Sequence, residues 1–331
     1  MKLYSHAPFV RRGERTPHAR MSFLFAALAG IGVLSLYYNG PRLLVLTAIS
    51  LCMAAAFDLV VFLLAGQRLR VTSESMLQAI LLTLFCPATV HLLLPAIGVA
   101  VMMILKYLLR MFFRQAPHIS CLCAGWCFLA FCFPANFFTY AKPGVEGWPP
   151  IAMTVAVEKV ASPTELLRGD AIASDFSVID VLLGNLAGPM GACGAVVLVA
   201  CIAFLCFHYR TALRTAVGAV LAVTVCALLF PRVPQELLLS VLFEVCGGSL
   251  LLCAAFALQV PGAVPLTHGG QWMLGIVWGL LTVLGRRVLP IEQAAPLALL
   301  LLTPFNFGFD LLRGQLLRWW RKFNLLGRKS A

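Results

Sequence analysis

An all-α polytopic membrane fold with about ten transmembrane helices is what this sequence predicts, and three observations carry the prediction. Of its 331 residues, 61% are hydrophobic and 11% charged, and the mean hydropathy is +0.93. A soluble surface needs roughly 25% charged residues, so lipid must be the solvent for most of the exterior. The apolar residues form long runs punctuated by prolines and short charged stretches, which at roughly 20 residues per span supply about ten spans. The formal net charge is +12, but its basic residues gather at the ends of the runs. That placement sets orientation in a lipid bilayer and excludes nucleic acid as the partner.

Along the chain, a basic, polar stretch at 1–21 leads into the first run at 22–38. No small-residue cleavage site follows a short apolar core, so this helix is read as a retained anchor. Runs at 42–65, 74–90, 92–113 and 119–141 complete a first set of five. Pro87 late in the third run and Pro95 early in the fourth interrupt the helical pattern. Such breaks are tolerated at membrane depth where neighbouring groups satisfy the freed backbone. Runs at 189–208, 212–230, 236–259, 271–289 and 293–312 form a second set.

Between the two sets lies the one long connection, 142–187, which is acidic: Glu146, Glu158, Glu165, Asp170, Asp175 and Asp180 oppose Lys142, Lys159 and Arg168. A connection of this length in a compact membrane protein is a place to look for chemistry. Ten spans put both termini on one side, and eighteen of the 25 basic residues fall there. The positive-inside rule makes that side the cytoplasm and the long connection extracytoplasmic. The basic tail 313–331, with Arg318-Trp319-Trp320-Arg321-Lys322, suits an interfacial segment against an anionic leaflet. The expected organisation is therefore a cytoplasmic tail 1–21, a membrane half 22–141, the connection 142–187, a second half 188–312 and a cytoplasmic tail 313–331.

A weak internal repeat relates the halves. Ser75-Met76-Leu77 runs apolar to Pro87, and Ser249-Leu250-Leu251 runs apolar to Pro261, at an offset of 174. Two sets of five spans have opposite topology, the arrangement of inverted repeats with a site between them near the midplane.

Ionisable residues inside spans are expensive and mark function by default. Asp58, Glu74, Glu244 and Asp310 fit that description, with Asp58 and Glu244 the deepest and the candidates for an ion path. The blander reading of each is a buried pair or a side chain that reaches the surface. The twelve cysteines sit mostly within apolar runs and behave there as small hydrophobes. Cys121, Cys123, Cys127 and Cys132 cluster at the fifth span, but Cys-x-Cys on a helix directs its sulfurs to different faces, so no metal is expected. No phosphate-binding loop, catalytic triad or zinc spacing occurs.

Several segments together resemble one known family. They are Ser75 to Lys106, a serine-led helix ending in proline followed by a helix ending in lysine; Leu183-Gly184-Asn185-Leu186-Ala187-Gly188-Pro189-Met190-Gly191; and Gly247-Gly248-Ser249-Leu250-Leu251-Leu252 with Thr267-His268-Gly269-Gly270-Gln271. In this order, from about residue 22 to 312, they are similar to the D subunit of the Rnf electron-transport complex and the B subunit of the sodium-pumping NADH:quinone reductase. The resemblance implies a subunit of an ion-translocating oxidoreductase in the bacterial inner membrane, inactive alone, with integral and peripheral partner subunits. It also implies flavin mononucleotide (FMN) joined by a phosphoester to a threonine of the extracytoplasmic connection by a flavin transferase. The corresponding segment is Glu158-Lys159-Val160-Ala161-Ser162-Pro163-Thr164-Glu165-Leu166, which gives Thr164 the attachment position and Ser162 as the fallback. Glu158, Pro163 and Glu165 stand where the family has aspartate, alanine and proline. Some relatives hold a second, non-covalent flavin, which the resemblance extends to this chain as an option. The alternative class is an inverted-repeat carrier, channel or scaffold subunit without flavin.

Overall fold

Helices satisfy every backbone polar group within one segment, which is why an apolar chain in lipid adopts them. The computed structural model describes residues 17–65, 73–112, 119–141, 148–153, 178–184, 187–231, 237–260 and 263–311, and all regular structure among them is helical. The first half contains α1 (Pro17–Asn39), α2 (Arg42–Ala65), α3 (Ser73–Leu84), α4 (Leu94–Phe112) and α5 (Cys121–Cys132). The second contains α6 (Ala195–His208), α7 (Arg210–Leu229), α8 (Leu237–Cys246), α9 (Leu250–Ala255), α10 (His268–Val288) and α11 (Ile291–Leu302).

Each apolar run of the sequence carries a helix. Four are long and apolar enough to cross a membrane: Met21–Asn39, Arg42–Leu64, Arg210–Leu229 and Ile291–Leu311. A fifth follows if Ser240–Cys246 and Leu250–Gln259, bent by 48°, form one broken span. The protein is thus all-α, with four to five candidate spans among the described residues. Two runs depart from the sequence expectation. The run 74–90 is helical only to Leu84, and the run 236–259 divides at Gly247–Ser249. The outer surface is apolar, with Leu64 83% and Phe207 90% exposed. Only 22% of the α2 span is buried, so most of it faces lipid or a partner.

Glycine at positive φ sets a reversal and a bend. Gly40 turns α1 into α2 at φ +70°, and a Cβ there would lie 2.8 Å from the Trp148 ring. Gly248 takes φ +71° at the α8–α9 bend, where the Ile291 backbone leaves no space for a side chain. Elsewhere small residues let helices meet backbone to backbone, as interfaces in lipid require. A Cβ on Gly125 of α5 would be 2.7 Å from the Gly98 carbonyl of α4. On α10, Cβ atoms at Gly275 and Gly279 would be 2.5 and 2.7 Å from the carbonyls of Thr215 and Ala219 on α7.

Both interruptions expose backbone that must find partners away from water. After α3, the Phe85 carbonyl accepts from Trp126 Nε1 (3.2 Å), the Cys86 carbonyl from the Met190 amide (3.0 Å), and the Val90 carbonyl from Arg42 Nη2 (2.7 Å). After α9, the Ala263 carbonyl accepts from Asn306 Nδ2 (2.9 Å) and the Pro265 carbonyl from Gln271 Nε2 (3.1 Å). Asp310 receives the amides of Leu266 and Thr267, each at 3.0 Å, and Thr267 caps α10 by accepting from the Gly270 amide. Asp310, an ionisable residue within a span by sequence, therefore orders a loop.

The α7–α10 contact yields a direct expectation. Gly279→Leu should force the helices apart and lower unfolding stability by about 1–3 kcal/mol or more. Gly32→Leu, where a Cβ meets nothing within 4 Å, should change it little. Detergent-resistance melting of the two variants beside the parent chain measures the difference.

Candidate functional site

Asp58 and Glu244 fall into two separate clusters of buried polar residues, one in each half. In the first, Asp58 of α2 is 6% exposed and meets α3 and α4. Its Oδ1 accepts from Ser75 Oγ at 3.2 Å and, through a short contact, from the Tyr107 hydroxyl. Lys106 Nζ donates to Ser75 Oγ at 3.0 Å and lies 3.5 Å from Glu74 Oε1. Gln78 Nε2 donates to the same Glu74 oxygen at 3.3 Å. The helical register explains the gathering, because Glu74, Ser75 and Gln78 share one face of α3. Ser75, Gln78 and Lys106 are all buried, while the Glu74 side chain is 21% exposed at the head of α3.

The second cluster holds Glu244, the other deep acid, in a different way. Arg286 Nη1 pairs with Glu244 Oε2 at 2.9 Å and also contacts the Glu244 carbonyl, and Nη2 donates to the Gly247 carbonyl at 2.9 Å. The two side chains are 0% and 3% exposed. Arg286 thus neutralises Glu244 and ties off the carbonyls released where α8 ends. Nearby, Pro296 within α11 removes the amide that would bond the Glu292 carbonyl. Ser249 Oγ supplies the replacement at 2.8 Å. The structure does not bring Asp58 and Glu244 together: they belong to different clusters with different partners.

Thr164 and Ser162 lie outside the described residues, as do the tails 1–16 and 312–331. The described ends of their connection converge on one corner. Trp148 Nε1 donates to the Tyr37 carbonyl at 3.1 Å, and the Tyr38 hydroxyl donates to the Leu183 carbonyl at 2.9 Å. Arg42, fully buried, donates to the carbonyls of Pro150 (2.6 Å), Ala152 (2.7 Å) and Val90. The described stretches 148–153 and 178–184 thus both touch the end of α1. Among the described residues no three His, Cys, Asp or Glu side chains are arranged to hold a metal ion. Cys123, Cys127 and Cys253 are simply buried in the core.

Sequence reasoning identified Asp58 and Glu244 but not the groups that decide their roles. Lys106, Tyr107 and Arg286 sit near helix ends, where a cation or phenol reads as an interfacial residue. The signal that could have found them is the similar setting of Ser75 and Ser249, 174 residues apart in sequence, since each serine lies beside one of the two clusters.

The family model described as the NQR2, RnfD, RnfE family matches residues 3–311, so the chain belongs to that family. No curated protein matches it.

The two acids should respond differently to neutralisation. Glu244→Gln leaves the Arg286 guanidinium buried without its carboxylate and should lower stability by about 3–5 kcal/mol. Asp58→Asn keeps an acceptor for Ser75 and Tyr107 and should cost no more than about 2 kcal/mol. Thermal unfolding of both purified variants reads the contrast.

Proposed function

Since the chain belongs to the NQR2, RnfD, RnfE family, we propose that it is the flavin-carrying membrane subunit of a redox-driven ion-translocating electron-transport complex. The observation that carries the reading is the family match over nearly the whole chain, taken with a hydroxyl at the family's attachment position, Thr164. A phosphoester needs only an accessible hydroxyl, and a connection between halves is where a surface one occurs. The clamped corner at Tyr37, Tyr38 and Arg42 supports the fit, because it ties both ends of that connection to the bundle.

FMN, when attached, would accept and pass on electrons, and the chain would supply its position and surroundings. Trp148, packed over Gly40, and Arg42, holding two carbonyls of 148–153, orient the start of the connection. Asp58 and Glu244 are the acids proposed for the ion path. The Arg286 pair commits Glu244 to a structural task, whereas Asp58 accepts from the Ser75 and Tyr107 hydroxyls, a difference that supports Asp58 as the stronger candidate.

The same reading includes about ten spans in two inverted five-helix repeats, halves 22–141 and 188–312 flanking an extracytoplasmic connection 142–187, and tails 1–21 and 313–331 in the cytoplasm. Ser75 and Ser249 support the repeat: both are fully buried, both lie at the head of a short helix, and both helices run into irregular backbone held by side chains. The complex would sit in the bacterial inner membrane. Its other subunits and a flavin transferase would be the partners, and a second, non-covalent flavin would be a further cofactor.

Co-expression with a flavin transferase tests the reading. Intact-mass analysis should find a mass increment of one FMN on the parent chain and none on Thr164→Val, with a matching loss of in-gel flavin fluorescence. An unmodified parent chain, beside a transferase active on another substrate, would favour a carrier or scaffold without flavin.

A further inference from the structure

We propose that the irregular stretch 148–153 is seated in the membrane surface, with Trp148, Ile151 and Met153 in the headgroup–acyl boundary of phospholipid. The leaflet is the one on the side of the connection, the outer leaflet in the orientation proposed above. The inference goes beyond the flavin reading, because it holds with or without an adduct on Thr164.

What the stretch turns outward is the first argument. It forms no helix, yet Trp148 is 42% exposed, Ile151 57% and Met153 57%, and none of its six residues is charged. A loop that runs through water is ordinarily polar. Tyr37, Leu44 and Leu93 are exposed as well, so the apolar surface continues onto the end of α1, the start of α2 and the chain just before α4. A surface of this kind marks a contact with membrane or with protein.

The backbone favours membrane. Irregular chain can meet lipid only where its polar groups already have partners. Prolines at 149 and 150 remove two amides. The Pro150 carbonyl accepts from Arg42 Nη1 at 2.6 Å and from the Ala152 amide at 2.9 Å. The Ala152 carbonyl accepts from Arg42 Nη1 at 2.7 Å, and the Met153 carbonyl from the Leu92 amide at 3.4 Å. Trp148 turns its one donor inward, to the Tyr37 carbonyl. A protein partner that docks on irregular chain gains from free amides and carbonyls, and the groups named here are taken.

Depth is the independent observation. Helices α1 and α2 have 23 and 24 residues. At 1.5 Å per residue each is roughly 35 Å long, slightly more than a hydrocarbon core of about 30 Å. Their shared turn at Gly40 therefore lies at the membrane boundary, and the Trp148 ring packs against that turn. Tyr37, Tyr38 and Trp148 gather at this level, where aromatic belts sit. From there the stretch runs along the boundary to Leu92, just before α4.

Two measurements on the full chain test the proposal. The parent chain and Trp148→Phe are reconstituted into nanodiscs of phosphatidylcholine brominated near the carboxyl end or near the methyl end of its acyl chains. The difference in their tryptophan emission isolates Trp148. For a seat about 5–10 Å into the headgroup–acyl boundary, bromine near the carboxyl end should quench that component about twofold, and more than bromine near the methyl end. Aqueous acrylamide should quench it little. Quenching by acrylamide but by neither lipid, or stronger quenching from the methyl end, would overturn the proposal.

The second measurement places photoreactive benzoylphenylalanine at position 151 or 153 and irradiates membranes of the expressing cells. Intact mass should show the chain plus one phospholipid, as for the same probe at position 64, where Leu64 is 83% exposed on α2. An adduct with another protein would assign the surface to a partner subunit. No lipid adduct at 151 or 153, beside one at 64, would place the stretch in water. Either result defeats the inference and leaves the flavin reading, tested by mass at Thr164, untouched.

Discussion

The structure depends on finding hydrogen-bond partners for backbone that leaves the helix inside an apolar bundle. Each half contains a helix that stops short, α3 at Leu84 and α9 at Ala255, followed by irregular chain. An unsatisfied amide or carbonyl costs several kcal/mol in lipid, so such a break exists only where side chains meet it. Trp126 and Arg42 do this in the first half, and Gln271, Asn306 and Asp310 in the second. Several of the polar residues buried among the described ones, Arg42, Gln271 and Asn306 with them, are explained by that requirement. Removing the breaks would remove the reason for these residues, and an uninterrupted apolar helix would need none of them.

Against that background the remaining buried polar groups stand out. Arg42 and Arg286 carry full charges, but their guanidinium groups are spent on carbonyls, with Glu244 as a matched partner for Arg286. Planar guanidinium suits this because its several donors diverge in fixed directions. Lys106 presents a compact charge on a flexible stem, donating to the Ser75 hydroxyl and lying beside the Glu74 carboxylate. The first cluster therefore differs in kind from the second. One secures a bend, and the other joins α2, α3 and α4 through side chains.

The helical class and the positions of the helices were legible because apolar runs in lipid have few alternatives. The ends of α3 and of α8 were not, because apolar composition continues unbroken through Phe85-Cys86 and through Val245-Cys246. What stops α3 is tertiary, a tryptophan and an arginine from distant segments. The α8 helix ends at the adjacent Gly247-Gly248, with Gly248 at positive φ and the distant Arg286 on the Gly247 carbonyl. Asp58 and Glu244 were legible as costly charges inside spans, yet one sequence signal covered two environments. Only the partners separate them, and Arg286 lies 42 residues from Glu244. Asp310 was legible as unusual for its depth, but its bonds to the Leu266 and Thr267 amides make it a loop organiser. Gln78 drew no notice, since a single amide in an apolar helix carries no pattern.

The glycine-rich element that follows the connection links these features mechanically. Met190 donates its amide to the Cys86 carbonyl and receives the Ser35 hydroxyl on its own carbonyl at 2.8 Å. Gly191 has no room for a side chain: a Cβ would lie 2.8 Å from Leu84 at the end of α3 and 3.2 Å from Leu252 in α9. One residue therefore touches both interrupted helices, and it follows directly from the connection whose other end is clamped at Arg42. Packed interiors shift between discrete arrangements rather than deforming smoothly. A displacement of 187–194 cannot leave the ends of α3 and α9 where they are, and α3 carries Glu74, Ser75 and Gln78. Gly191 is best understood as the condition for that three-way contact, which any larger residue at this position would pry open.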